Sequence, residues 1–206
     1  MQNRVVVIDY GMGNLRSVEK KLQRLGIKAL VSGDVEAIRD ATKLILPGVG
    51  HFANGVRNLR ERGIWDVIDN KVRNEKTPIM GICLGMQLMA KFSEEGSIEG
   101  FGWFDAEVKR FSVSDTLRFK VPHMGWNQAI PVNQHRYTEG LTGQESYYFV
   151  HAYHLICNNP DDVLGKTVYD YEFVSMMGRD NILGVQFHPE KSHSAGDRLF
   201  HNFIHS

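Results

Sequence analysis

Four consecutive apolar residues, Val5-Val6-Val7-Ile8, begin the pattern of this chain. A run that is apolar throughout, not alternating, predicts a strand covered on both faces of a sheet. Leu15, Val18, Leu22 and Leu25 then recur at helical spacing as far as Gly26, which predicts an amphipathic helix stopped by glycine. The alternation continues with a strand over Lys28–Ser32, a helix over Asp34–Ala41 with Asp34 as N-cap, and a strand over Lys43–Leu46. One helical stretch carries Val56, Leu59, Ile64, Val67, Ile68 and Val72. Pro78-Ile79-Met80 reads as the next strand, and Met86, Leu88, Met89 and Phe92 as the helix that follows it. Strands alternating with helices predict an α/β fold with an open, largely parallel central sheet and helices on both faces.

The second half has a different texture. From Phe101 to about Tyr153 the apolar residues fall in short alternating pieces between Gly, Pro and Asn, which predicts an antiparallel extension of the sheet. Strands are expected near Tyr147–Ile156, Val168–Met177 and Ile182–Phe187, with a closing helix over Ala195–Ile204. No linker, repeat or low-complexity tract divides the 206 residues, so a single domain over 1–206 is expected. The 24 basic residues balance the 24 acidic ones, leaving no global field to recruit nucleic acid or an anionic membrane. No apolar run approaches the roughly 18–20 residues of a membrane span. Met1-Gln2-Asn3-Arg4 leads into only four apolar residues before Asp9, too few for a signal-peptide core. Two cysteines make no disulfide framework, and the cytoplasm is the expected compartment.

The chemistry begins at Gly81-Ile82-Cys83-Leu84-Gly85, a glycine-flanked cysteine between a predicted strand and a predicted helix. That is the layout of a nucleophile elbow, in which a sharp turn holds the central residue in a strained conformation and small neighbours avoid the adjoining elements. The backbone N–H groups and dipole of the following helix favour a thiolate there. A nucleophilic thiol needs a base, and the base an orienting group. An apolar strand ends at His188, and Glu190 follows on the same side of an extended segment, placed to accept the second imidazole N–H. Pro47-Gly48-Val49-Gly50, after the third strand, offers a turn whose Gly50 N–H joins the Leu84 N–H as an oxyanion hole. Each piece alone has an ordinary reading: a buried cysteine, a solvated His-Pro-Glu turn, a glycine-rich β–α turn. Their conjunction favours catalysis.

These three blocks, with Gln87 after the elbow and Lys191-Ser192 after Glu190, resemble the signature segments of class I (triad) glutamine amidotransferases, in order and across nearly the whole chain. Asp9-Tyr10-Gly11-Met12-Gly13-Asn14, Val121-Pro122-His123-Met124-Gly125-Trp126-Asn127 and Tyr148-Phe149-Val150-His151 are most similar to the glutaminase subunits of imidazole glycerol phosphate synthase. The resemblance implies Cys83 as nucleophile, His188 as base and then acid, and Glu190 as orienter. It implies Gln87 and Gly50 at the bound glutamine, and Asn14, Trp126, Tyr148 and Lys191 facing the synthase partner and the ammonia exit. It also implies a (β/α)8-barrel cyclase as that partner, in a heterodimer, and no metal or organic cofactor. Three alternatives stay open at this point. A cysteine hydrolase on the same fold is opposed by Gln87 and the Pro-His-Met-Gly-Trp-Asn block. A catalytically silent subunit is opposed by the intact triad. A paralogue feeding amino-sugar modification in surface polysaccharide assembly would keep the chemistry and change the pathway; Ala152 and His193-Ser194-Ala195-Gly196 depart from the commonest family pattern.

Other motifs carry less. Gly11-Met12-Gly13 opens a helix as a dinucleotide fingerprint does, but Arg16 stands where its third glycine belongs. His51, His123, His151 and His154 have no metal-ligand spacing, and Cys157 reads as a core residue of a strand.

Overall fold

The structure, a computed structural model, describes residues 4–206. Met1-Gln2-Asn3, part of the segment read above for a signal peptide, lies outside the described residues. Strands β1 (Val5–Ile8), β2 (Ala29–Ser32), β3 (Lys43–Gly48) and β4 (Ile79–Cys83) alternate with helices α1 (Leu15–Arg24), α2 (Val35–Arg39), α3 (Phe52–Glu61) and α4 (Trp65–Arg73). After the one-turn helix α5 (Leu84–Gln87) come β5 (Ala90–Ser93), β6 (Ile98–Glu99), β7 (Phe104–Arg110), β8 (His123–Gln128) and β9 (Ile130–Pro131). The chain then runs through β10 (Ser146–His151), β11 (Tyr153–Cys157), β12 (Val163–Tyr169), β13 (Tyr171–Arg179) and β14 (Ile182–Val185) to the closing helix α6 (His193–His205).

The principal sheet has the order β2-β1-β3-β4-β14-β13-β11-β7-β5-β6, with β12 and β9 branching from β13. Its first five strands are parallel, and β14–β13, β13–β11 and β11–β7 are antiparallel, as the change of texture predicts. The elbow strand β4 lies between β3 and β14, so the loop carrying Gly50 and the loop carrying His188 leave the sheet on either side of Cys83. Two clusters of buried side chains cover the two faces, one including Leu46, Phe52, Leu84 and Leu88, the other Met80, Ile82, Phe187 and Phe200. Asp34 caps α2 as read, accepting from Ala37 N at 3.0 Å, and Gly26 closes α1 at φ +74°; Asn14 caps α1, accepting from Ser17 N at 3.2 Å.

The structure corrects four expectations. The stretch from Val56 to Val72 is two helices, because Gly63 turns the chain at φ +68°. The periodicity from Met86 to Phe92 is not one helix: α5 stops after one turn and the chain re-enters the sheet as β5. Every residue from Ile79 to Ala90 is buried, and an all-buried segment satisfies helical and strand spacing alike. Tyr147–Ile156 divides at Ala152, with β10 pairing only β8 in a separate two-stranded sheet and β11 joining the main one. Val168–Met177 is a hairpin, β12 turning into β13 at Asp170 with φ +39°.

Candidate active site

Cys83 occupies the elbow in a strained conformation, φ 54° and ψ −108°. A non-glycine residue there costs about 1–3 kcal/mol and persists only where its surroundings enforce it. The glycines show how. A side chain on Gly85 would collide with Leu46 O, and a Cβ on Gly81 would stand 2.6 Å from Gly85 O. Cys83 is buried, 6% exposed. Because α5 has a single turn, its dipole contributes less than a full helix would.

His188 follows β14, and its Nδ1 lies 2.8 Å from Glu190 Oε1 with both side chains about 2% exposed. The pairing fixes the tautomer, leaving Nε2 for the reaction. Burial opposes the charged imidazole, but Cys83 and Glu190 on its two sides outweigh burial and hold its pKa above the ordinary range. His188 Nε2 and Glu190 Oε2 are buried without a hydrogen-bond partner among the described residues, and the thiol is directed at Val150 O, 3.9 Å away. The histidine–carboxylate half of the array is therefore built, and Cys83 stands beside the imidazole. Such an array can carry acyl transfer: a thiol nucleophile, a base with a fixed tautomer, and a carboxylate that stabilises the imidazolium.

Gly50 adopts φ +113° in an exposed turn, and a Cβ there would meet Met12 Cε at 2.9 Å. A side chain on Gly48 would strike the Tyr10 hydroxyl, which is buried and unpartnered. The loop around Met12 thus packs directly on the turn that carries Gly50. Leu84 is the first residue of α5, beside Cys83.

A model of class-I glutamine amidotransferases matches residues 6–206. The chain belongs to this family. It is 46% identical over 200 residues to a protein of Methanococcus maripaludis named imidazole glycerol phosphate synthase subunit HisH 2, covering 97% of this chain and 98% of that one. A Pseudomonas aeruginosa protein of the same name is 47% identical over 200 residues, with 97% and 98% covered. The Sulfurimonas denitrificans subunit HisH is 44% identical over 203 residues, with 97% and 96% covered. In fold, the chain is similar to a crystal structure of a glutamine amidotransferase (TM-score 0.73, 23% identity, 98% and 97% covered) and to PurLQS from Thermotoga maritima (TM-score 0.74, 18% identity, 100% and 99% covered).

In this amidotransferase Gln87 is buried, and its Nε2 donates to Tyr153 O and to Gln186 Oε1, both at 3.0 Å. Three of the residues expected at the partner face cluster. Trp126, 51% exposed, meets Tyr148 edge-on at 5.9 Å, and Lys191 Nζ lies 5.1 Å from the Tyr148 ring. Asn14 is placed differently, exposed and capping α1.

Sequence reasoning missed several members of the site. His193 stacks on Trp126, with centroids 5.1 Å apart and planes 2° from parallel. Ser192 Oγ donates to His188 O at 2.6 Å and accepts from Tyr148 N at 3.0 Å, while His188 N donates to Tyr148 O at 2.8 Å. A serine after the triad block gives no sequence signal of that bridge, because its partner lies 44 residues away. The two histidines of the β8–β10 sheet also pair. Asn127 Nδ2 donates to Val168 O at 2.9 Å and faces His123 Nε2 at 3.4 Å, which makes that nitrogen the acceptor. His123 Nδ1 then donates to His151 Nε2 at 3.0 Å, and His151 Nδ1 donates to Tyr153 O at 2.8 Å. Burial holds both rings neutral, pushing His123 down to about 4 and His151 to about 3. Among the described residues no group of three His, Cys, Asp or Glu is arranged to hold a metal ion, and no helix is long and apolar enough to cross a membrane. Cys157 is half-buried on β11, its thiol raised by burial. A surface cavity of about 690 Å³ is lined by Pro131–Arg136 and Thr138–Leu141 and contains none of Cys83, His188 and Glu190.

Proposed function

We propose that this chain, one glutaminase domain over residues 1–206, supplies ammonia as the glutaminase subunit of an imidazole glycerol phosphate synthase in histidine biosynthesis. The observation that carries this reading is the buried His188–Glu190 pair meeting Cys83 at a strained elbow, in a chain alike over nearly its whole length to subunits of that name. The relatives' names do not favour the amino-sugar route.

The chemistry follows from the positions. His188 takes the thiol proton and Cys83 sulfur attacks the side-chain amide carbon of glutamine, with the Gly50 and Leu84 N–H groups receiving the oxyanion. One such donor is worth roughly 2.7–4 kcal/mol in the transition state. His188 returns the proton to the departing nitrogen as the C–N bond breaks, leaving a thioester and ammonia. Water, deprotonated by His188, attacks the thioester through the same oxyanion hole; glutamate leaves and the thiol is restored. Glu190 holds the imidazole and stabilises its charged form in both halves. No step calls on a metal or organic cofactor.

Ammonia released into water is protonated and ceases to be a nucleophile, so its passage to a partner must be covered. The partner that fits is a (β/α)8-barrel cyclase, docked on the face carrying Trp126, Tyr148 and Lys191. The test uses the chain with its synthase partner. Cys83→Ala is expected to abolish glutamine-dependent synthesis and to leave synthesis from ammonium salts intact. Glutamine turnover by the Ala variant overturns the reading.

A further inference from the structure

One buried side chain outside the triad touches the nucleophile. Gln186 follows β14, two residues before His188, is fully buried, and places Nε2 3.6 Å from Cys83 Sγ. The two ends of a side-chain amide look alike in outline, so their assignment rests on their partners. Here a main-chain carbonyl decides it. Tyr153 O can only accept, so the end of Gln87 that lies 3.0 Å from it is the NH2 group. The same nitrogen lies 3.0 Å from the Gln186 amide, whose facing atom is therefore Oε1. Gln186 is left with its NH2 turned to the sulfur. The carbonyl that starts this chain is itself held by His151 Nδ1 at 2.8 Å.

We propose that Gln186 is a positioning residue for the nucleophile: its amide N–H donates to Cys83 Sγ and holds the sulfur at the elbow, and Gln87 fixes which way round that amide lies. The proposal rests on Cys83 being the nucleophile. A hydrogen bond to sulfur strengthens as the acceptor gains negative charge, so the contact grows as the sulfur gives up its proton to attack. It also completes the surroundings of Cys83, with Val150 O on the thiol's donor side and Gln186 as the donor to sulfur. Gln87 spends both of its N–H groups inward, so only its Oε1 remains for a ligand, and the ligand group that meets it must be a donor.

The test is alkylation by iodoacetamide of the full chain without glutamine, followed on the Cys83 peptide by mass spectrometry so that Cys157 does not contribute. Gln186→Met keeps the length and removes the donor. Alkylation of Cys83 at neutral pH is expected to slow about tenfold, the worth of one hydrogen bond to a charged acceptor. With the partner present, kcat for glutamine falls by a similar factor and KM stays within about twofold. Gln186→Glu puts a carboxylate beside the sulfur and slows alkylation more than Met does. A residue that merely filled space would give neither that order nor the split between kcat and KM. Alkylation of the Met variant within about twofold of the wild-type rate, or of the Glu variant as fast as the Met variant, overturns the proposal. If Cys83→Ala is inactive while Gln186→Met matches the wild type, the glutaminase reading stands and this proposal alone fails.

Discussion

Acid should unfold this protein earlier than its carboxylates alone would require, because two buried histidines must remain neutral. His123 is 3% exposed, stacked between Phe149 at 4.9 Å and Tyr169 at 4.1 Å, and His151 is 5% exposed beneath it. Their pKa values are depressed to about 4 and about 3, whereas in the unfolded chain each titrates near 6.5. As pH falls from about 7.5 to about 5, the unfolded state takes up two protons that the native state refuses. Linkage then costs the fold about 2 kcal/mol for each ring, or about 4 kcal/mol for the pair. His188 works in the opposite sense, because its pKa is raised in the fold and its stabilisation is fully present below about 6.5. Its contribution offsets roughly 1 kcal/mol, while burial also lowers the pKa of His154 and adds to the loss, so the wild type should lose at least about 3 kcal/mol over that range.

Urea unfolding at the two pH values measures the loss directly. The deciding variant is His123→Phe, which keeps the stack on Phe149 and Tyr169 but removes the titrating nitrogens. It should be less stable than the wild type near pH 7.5, since His151 loses its donor, at about 1–3 kcal/mol for an unsatisfied buried group. Its dependence on pH should be shallower by about 2 kcal/mol. A His123→Phe variant whose stability falls between the two pH values as steeply as that of the wild type would refute the claim that His123 is held neutral by the fold.

Two further outcomes follow from the site. Glu190→Gln should keep the fold and lose about 10²- to 10⁴-fold in glutaminase rate, because an amide can present an N–H to His188 and favour the wrong tautomer; activity within about threefold of wild type in a steady-state assay would remove Glu190 from the triad. The isolated chain should turn over glutamine about 10²- to 10³-fold more slowly than the complex loaded with its synthase substrate, since one orientation of the Val49–Gly50 peptide replaces an oxyanion donor with a carbonyl oxygen, and a lone chain running at the full rate of the complex would exclude that gate.

What the sequence made legible was local. The elbow, the Asp34 cap and the His188–Glu190 contact are each set by residues within a few positions of one another and are found in the structure, although Pro189–Lys191 is a 3-10 turn and not the extended segment expected. Hydrophobic runs placed β1, β3 and β14 because buried parallel strands leave an unmistakable apolar signature. The pattern failed where burial was complete or where a single residue turned the chain. From Ile79 to Ala90 nothing is solvated, so helical and strand periods give the same sequence, and α5 was read too long. Gly63 and Asp170 each divide a segment that reads as continuous. The pairing of His123 with His151, and of Gln87 with Gln186, lay beyond any local pattern because the partners are 28 and 99 residues apart.

That division between local and distant also orders the chemistry. Glu190 and His188 sit on one short segment, and their hydrogen bond needs only that segment to fold. Cys83 comes from β4, and its approach to His188 depends on how β14, β10 and the elbow are held together. The holding bonds are specific: His188 N to Tyr148 O, Tyr148 N to Ser192 Oγ, and Ser192 Oγ to His188 O close a ring through the β10 backbone. Tyr148 is also the residue against which Trp126 and Lys191 pack at the exposed face. That face and the base are therefore joined through the β10 backbone by two or three hydrogen bonds. The tautomer of the imidazole is fixed by Glu190, and its position beside Cys83 depends on the β10 backbone that holds His188 N.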